Sequence, residues 1–227
     1  MRILITFGAV SVPIDGMRRI ANQSSGSTGQ FLALHLAGIE DCEVHCLVGE
    51  TDREPFLGSA SSNLNCERAS SYPEFSRRLE ELLAAFYFDW VVQLAAVPDF
   101  IIDSIENEEG LRLEFGEGVK LDSSSPVTIK TRRSQKLIQQ LKKWSKNKSI
   151  HVIGFKYTPE FDLAKTLKVL GSGGADFVVS NWQSGIGCDR HEFKIYSESS
   201  RVGRDKPLAQ GSSKQEMAME IAGIICS

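Results

Sequence analysis

The chain lacks any run of 18 apolar residues, so its sequence offers no membrane-spanning helix. It also lacks an excess of charge. Across 227 residues, 26 Lys+Arg stand against 29 Asp+Glu, a net charge of −3 that excludes coating nucleic acid through bulk positive charge. Neither a membrane nor a nucleic acid is therefore expected as a partner. Five cysteines (Cys42, Cys46, Cys66, Cys188, Cys226) form no C-x-x-C pair, and their number is odd. They read as the thiols of a reduced, cytoplasmic protein. The opening MRILITFGAV carries no small-residue cleavage site and reads as a first buried strand.

Familiar catalytic signatures are missing too. No Gly-Lys dipeptide occurs, which excludes a P-loop, and the glycines at 26 and 29 do not make G-x-G-x-x-G. There is no G-x-S-x-G elbow. His35, His45, His151 and His191 stand more than four residues apart and have no cysteines at zinc spacing. The tyrosines at 72, 87, 157 and 196 are followed four positions on by Ser76, Val91, Phe161 and Ser200, so no Tyr-x-x-x-Lys relay supports an NAD(P)-dependent reductase.

What is present is an ordinary globular composition, 41% hydrophobic and 24% charged, which argues against disorder. Short β-branched runs alternate with amphipathic ones. Strands are predicted over residues 2–7, 43–48, 89–97, 150–155, 176–179 and 192–196. Helices are predicted over 26–37, from Tyr72 through Leu79, Leu82, Leu83 and Phe86, and over 134–144, 159–170 and 213–225. In the helix over 26–37, Phe31, Leu32, Leu34, His35 and Leu36 supply a broad apolar surface. The alternation implies one doubly wound α/β domain with a largely parallel sheet. Residues 100–131 break the rhythm and read as a strand pair or arm outside that sheet, and 185–204 as a terminal hairpin.

Ligands of such sheets bind at the carboxyl ends of the strands. That rule selects four segments: 8–29, 95–100, 155–158 and 180–187. In the first, Asn22-Gln23-Ser24-Ser25-Gly26-Ser27-Thr28-Gly29 leads into a helix whose free N–H groups attract anions. The same octet also reads as a Ser N-cap with glycines for close packing. Glu50 stands where a ribose-binding acid would, or is a solvated strand-end carboxylate. Asp99 is well placed to hold Mg²⁺ against phosphates, or is a turn residue beside Pro98. Ala95 and Ala96 would let a base or sugar lie against the backbone. Lys120 by itself reads as an exposed lysine.

Together these segments resemble the phosphopantothenoylcysteine synthetase (phosphopantothenate–cysteine ligase) family. Phe7 to Gly29 keeps the P-I-D, Arg18, Ile20, Asn22 and S-S-G of its opening motif. Ala95-Ala96-Val97-Pro98-Asp99-Phe100 resembles A-A-V-x-D-[FYW], and Lys120-Leu121-Asp122-Ser123 resembles K-I-x-S. Residues 152–158 resemble V-G-F-x-x-E-T, 176–181 D-x-I-V-A-N, 185–191 G-F-G-x-D-x-N and 213–218 S-K-x-E-x-A. The matches run in order along nearly the whole chain.

The resemblance implies a Rossmann-like fold and a ligase that joins 4′-phosphopantothenate to L-cysteine through an acyl-nucleotide, using CTP or ATP with Mg²⁺. It implies Asn22 and Lys120 as catalytic residues. Gly8, Ala95, Ala96, Asp99, Phe155 and Asn181 would bind nucleotide, with Asp99 also at the metal. Arg18, Asn22, Ser24, Ser25 and Gly26 would bind substrate. It implies a homodimer with an arm in 100–131 donated across the interface. No FMN is expected, which leaves room for a separate decarboxylase as partner. Two departures stand out. The family's G-G-T-R-E has become Gly8-Ala9-Val10-Ser11-Val12, which loses a hydroxyl and an Arg–Glu pair and raises the alternative of a non-catalytic, regulatory relative. A lysine common three residues before the aspartate of D-x-I-V-A-N is here Gly173. Charge is also segregated: residues 100–118 hold six acids and one base, residues 119–148 nine bases and one acid, which suggests a focused phosphate site.

Overall fold

Ile3, Ile5 and Phe7 of strand β1 (Arg2–Phe7) enter one apolar cluster and Leu4 enters another, the two-residue period of a strand covered on both faces. The structure, a computed structural model, describes residues 1–52, 62–187, 190–198 and 206–227. After β1 come the short strands β2 (Ser11–Pro13) and β3 (Arg19–Ala21), helix α1 (Ser27–Ala37), β4 (Glu43–Val48), β5 (Leu64–Arg68) and α2 (Tyr72–Ala85). There follow β6 (Trp90–Gln93), β7 (Phe100–Glu106), β8 (Arg112–Leu113), β9 (Thr128–Arg133), α3 (Leu141–Trp144), β10 (His151–Thr158) and α4 (Leu163–Leu167). The described elements close with β11 (Phe177–Ile186), β12 (His191–Ser197), β13 (Ala209–Gly211) and α5 (Lys214–Ile225).

The eight-stranded sheet has the order β13-β12-β11-β10-β6-β1-β4-β5. The six strands from β11 to β5 are parallel; β12 and β13 add on antiparallel, with β13 beyond the hairpin expected over 185–204. Helices α1 and α5 cover one face through Leu32, Leu36, Met217 and Ile221, and α2 covers the other through Phe75, Leu79 and Leu83. The chain winds outward from β1 through β4 to β5, then returns to β6 on the other side. The topological switch point thus lies between β1 and β6, where ligands of open α/β sheets bind. Residues 100–133 form a separate three-stranded sheet, β8-β7-β9, outside the main one.

Several boundaries differ from expectation for local reasons. Strand β6 stops at Gln93: Val97 N bonds Ala95 O across a tight turn, and Pro98 has no N–H to give. The helix expected over 134–144 shrinks to a 3₁₀ turn at Leu137–Gln139 and the four residues of α3. The Tyr72 hydroxyl holds both the N–H and the carbonyl of Gln135, and Ser134 N bonds Asp99 O, so this stretch is drawn out before it can coil. Of 159–170 only Leu163–Leu167 is α-helical, started by Asp162 Oδ1 accepting from Lys165 N. Strand β11 runs on to Ile186 by pairing with β10 and β12. In α1 only a stripe of Gly29, Leu32, Ala33 and Leu36 is buried, leaving Phe31 and Leu34 exposed, and Phe86 lies just past the end of α2. Residues 188–189 and 199–205, inside the expected hairpin and its motif, lie outside the described residues.

Candidate functional site

Where the chain leaves β1, Gly8 has φ of 88°, and a Cβ there would fall within 2.6 Å of the Glu50 carbonyl oxygen. Only glycine fits this exit. Ala9 then bonds Glu50 through both backbone groups (2.7 and 2.8 Å), Ala96 N donates to Gly8 O (2.9 Å) and Val10 N to Ala96 O (3.3 Å). The floor of the crevice is therefore backbone, contributed by Gly8, Ala9 and the Ala95-Ala96 pair. Ala9, Val10, Ser11 and Val12 are all buried, so the altered first loop presents no side chain to solvent. Asn22 Nδ2 donates to Val97 O at 3.1 Å and fastens the start of the S-S-G segment to the loop that carries Asp99. Asp99 is exposed, and its backbone is held by Ser134, whose N–H donates to Asp99 O and whose hydroxyl donates to Pro98 O.

The S-S-G turn opens α1. Gly26 takes the left-handed conformation (φ 74°) at the N-cap and supplies no capping side chain, and the first turn holds no acid. Ser27 N donates to Ser25 Oγ at 3.4 Å, and the helix N–H groups beyond it face outward as an anion site would need. Ser24 and Ser25 are half-buried. Ser25 Oγ lies 2.6 Å from Ser27 Oγ and accepts from Lys214 Nζ at 3.1 Å. Lys214 is the first residue of α5, so a cation from the end of the chain sits at the start of α1. Nearby, Asn181 Nδ2 donates to His191 Nε2 at 3.0 Å. Burial first, and the Lys214 ammonium second, pull the His191 pKa down from 6.5 to about 4, so the ring is neutral. Phe155, half-buried, packs into the same apolar cluster as Phe7, on the α1–α5 side.

Strands β2 and β3 pair as a hairpin, Ser11 opposite Ala21 and Pro13 opposite Arg19. At its tip, Asp15 is 4% exposed and Arg18 Nη2 lies 2.5 Å from Asp15 Oδ2. The guanidinium foremost, with the Met17 amide next, holds the Asp15 carboxyl well below the usual carboxylate range. Leu121 is bonded to the same pair through its N–H (to Asp15 Oδ2, 3.1 Å) and its carbonyl (from Arg18 Nη2, 3.0 Å).

The structure thus brings Gly8, Ala95, Ala96, Asn22 and Asp99 together at the switch point, and joins Ser25 and Gly26 to the β11–β12 side through Lys214. Lys120 and Arg18 are not brought there. They stand at the hairpin tip, beyond a three-residue strand pair worth about 10 Å of reach. Glu50 is paired with Arg19 at the surface. Three of the nine bases in the basic stretch are paired: Lys130 with Glu106 (2.7 Å), Arg132 with Asp103 (3.5 Å) and Lys142 with Asp176 (2.5 Å). Sequence reasoning missed Lys214, His191 and Asp15. Each lies inside a matched motif, which was the signal available. Among the described residues no three His, Cys, Asp or Glu side chains gather as a metal cage. Asp99 alone fits the mode in which Mg²⁺ takes a carboxylate and completes its shell with waters and phosphates.

A family model described as the DNA/pantothenate metabolism flavoprotein C-terminal domain matches residues 1–227. The chain is 27% identical over 223 residues to the coenzyme A biosynthesis bifunctional protein CoaBC of Thermococcus kodakarensis. The match covers 96% of this chain and 49% of the relative, so the chain spans about half the length of that curated protein. Among solved structures, the DNA/pantothenate metabolism flavoprotein of Streptococcus pneumoniae superposes with a TM-score of 0.80 at 22% identity, covering 99% of this chain and 98% of the other. The H337A mutant of Cab2 in complex with phosphopantothenate-cysteine superposes with a TM-score of 0.70 at 16% identity, covering 98% and 85%.

Proposed function

Because the chain belongs to the family of the DNA/pantothenate metabolism flavoprotein C-terminal domain, we propose that it is a nucleotide-dependent ligase of coenzyme A biosynthesis, joining 4′-phosphopantothenate to L-cysteine. The observation that carries this reading is the Asn22–Val97 bond, which sets the S-S-G turn and the Asp99 loop side by side at the switch point. An acid, a nucleotide and an amine can meet there. The substrate carboxylate attacks the α-phosphorus of CTP or ATP, and pyrophosphate leaves. The cysteine amine then attacks the acyl carbon, loses a proton, and displaces the nucleoside monophosphate.

The roles follow from position. The α1 N–H groups at Gly26, with Ser24, Ser25 and Lys214, receive phosphate oxygens. Phe155 and Asn181 flank the nucleoside, and Gly8, Ala95 and Ala96 let it lie against backbone. Asn22 holds the acyl-nucleotide. Asp99 would hold Mg²⁺, which when bound neutralises charge on the phosphates. Lys120 stabilises the charge that builds on the α-phosphate during transfer. Its place at the hairpin tip supports a homodimer in which the hairpin and arm, with Lys120 and Arg18, lean on a second copy. The reading also carries a decarboxylase acting on the product, elsewhere on a longer chain or on another.

The test is pyrophosphate release from phosphopantothenate, cysteine and Mg²⁺ with CTP or ATP in turn. Release with one nucleotide is expected and identifies it. Asn22→Ala should accumulate acyl-nucleotide, whereas Lys120→Ala should not form it. No release with either nucleotide overturns the ligase and favours the regulatory reading, for which the first loop, its side chains all buried, speaks.

A further inference from the structure

The carboxylate of Asp15 makes five hydrogen bonds although it sits in a surface hairpin. Oδ1 accepts from the amides of Met17 (2.9 Å) and Arg18 (2.7 Å). Oδ2 accepts from Arg18 Nε (3.0 Å), Arg18 Nη2 (2.5 Å) and the Leu121 amide (3.1 Å). All five partners are donors, so only the ionised acid satisfies them; an amide in its place would turn a donor toward donors. The bonds reach across to a second loop. Gly16 N donates to Val119 O (2.7 Å), Gly116 N to Ile14 O (2.9 Å), and Arg18 Nη2 to Leu121 O. The peptides on either side of Lys120 are thereby tied to the hairpin, and Leu121 is buried as an apolar anchor. Lys120 itself is exposed.

We infer that Asp15 is a positioning residue: together with Arg18 it fixes the backbone on both sides of Lys120, so that the ammonium is presented from a rigid mount. This deepens the ligase reading and rests on it. Fastening the loop would need no more than the Leu121 anchor. Holding the Lys120 Cα from both neighbouring residues is what phosphate chemistry requires, because misplacement by about 1 Å costs about a hundredfold in rate. The inference also gives Arg18 work in its own chain, where its fork is shared between a carboxylate and a carbonyl.

The experiment combines hydrogen exchange with single-turnover activation. In the wild-type protein the Leu121 amide should be protected; exchange as fast as in an open loop overturns the clamp whatever any variant does. Asp15→Asn should raise exchange across 116–122 and slow pyrophosphate release in the absence of cysteine by about 10- to 100-fold. Its nucleotide KM and its rate of cysteine attack on preformed acyl-nucleotide should stay near wild type. Asp15→Glu should restore part of the rate. An Asp15→Asn protein that exchanges faster yet activates normally overturns the positioning role. If the wild-type protein releases no pyrophosphate the ligase reading itself fails, and the exchange data still decide the clamp.

Discussion

Lys214 is an ammonium in unfavourable company. It stands on the first turn of α5 and beside the first turn of α1, where both helix dipoles present their positive ends. The acceptor described for it is a serine hydroxyl, and it is in no ion pair among the described residues. The α5 end already has the Glu216 carboxylate in its first turn, so a phosphate at the uncapped α1 end would relieve the ammonium and that helix end together. A charge-assisted bond contributes about 1.5–3 kcal/mol, so Lys214→Ala should raise the nucleotide KM roughly 10- to 100-fold. Lys214→Arg should keep most of the affinity. Steady-state kinetics check this, and an unchanged KM removes Lys214 from the site. His191 gives a second test. Its pKa in the fold is about 4, against 6.5 ordinarily. An unfolded chain takes up this proton as pH falls through 6.5, and the folded chain not until about 4. Stability from the neutral ring is therefore complete above 6.5 and declines steadily between 6.5 and 4. His191→Gln should flatten that part of a denaturation-midpoint profile against pH. Parallel profiles for the two proteins would contradict it.

Elements with a full cap and a repeated stripe are the ones the sequence announces. Helix α5 has both. Ser213 Oγ accepts from Glu216 N, and Glu216 Oε2 accepts from Ser213 N, a reciprocal capping box before Met217, Ala218 and Ile221. Ser213→Ala should cost about 1 kcal/mol by urea denaturation. It should also weaken nucleotide binding, because the same turn aims Lys214. Strands β1 and β4 and helix α2 were equally readable from periodicity and Pro73. Helices α3 and α4 were over-read, since apolar spacing says nothing of the Tyr72–Gln135 tether or of where Asp162 caps. Strands β2, β3, β5 and β13 were unread, because three to five residues carry too little pattern. The site divides in the same way. The family resemblance named Asn22, Asp99, Ser25 and Gly26, and the Asn22–Val97 bond draws the loops of the first two together. Lys214 could not be placed there without knowing that α5 packs on α1, and Lys120 could not be seen to stand apart without the hairpin.

At the scale of the molecule, Met17 (78% exposed) and Ile20 on the hairpin and Phe100 (57%) on the arm are among the large apolar side chains left uncovered. Where such side chains gather in one patch they mark interfaces. Part of the acid–base segregation read in the sequence pairs across β7 and β9, through Lys130–Glu106 and Arg132–Asp103. If the arm meets a second copy, Ile20→Asp with Phe100→Asp should yield a folded monomer by light scattering, with activation impaired because Lys120 is no longer delivered. A variant that stays dimeric would move the interface elsewhere.

The hairpin clamp also bears on how the protein comes into being. The Asp15–Leu121 bond joins residues 106 positions apart, and β1 pairs with β6 across 87 positions. Closing so long a loop adds little to its equilibrium cost, which grows only with the logarithm of length, but contacts of such separation form late. The β1–β4 pair spans only 41 positions, so a chain that has formed it can still lack the Asp15–Leu121 bond.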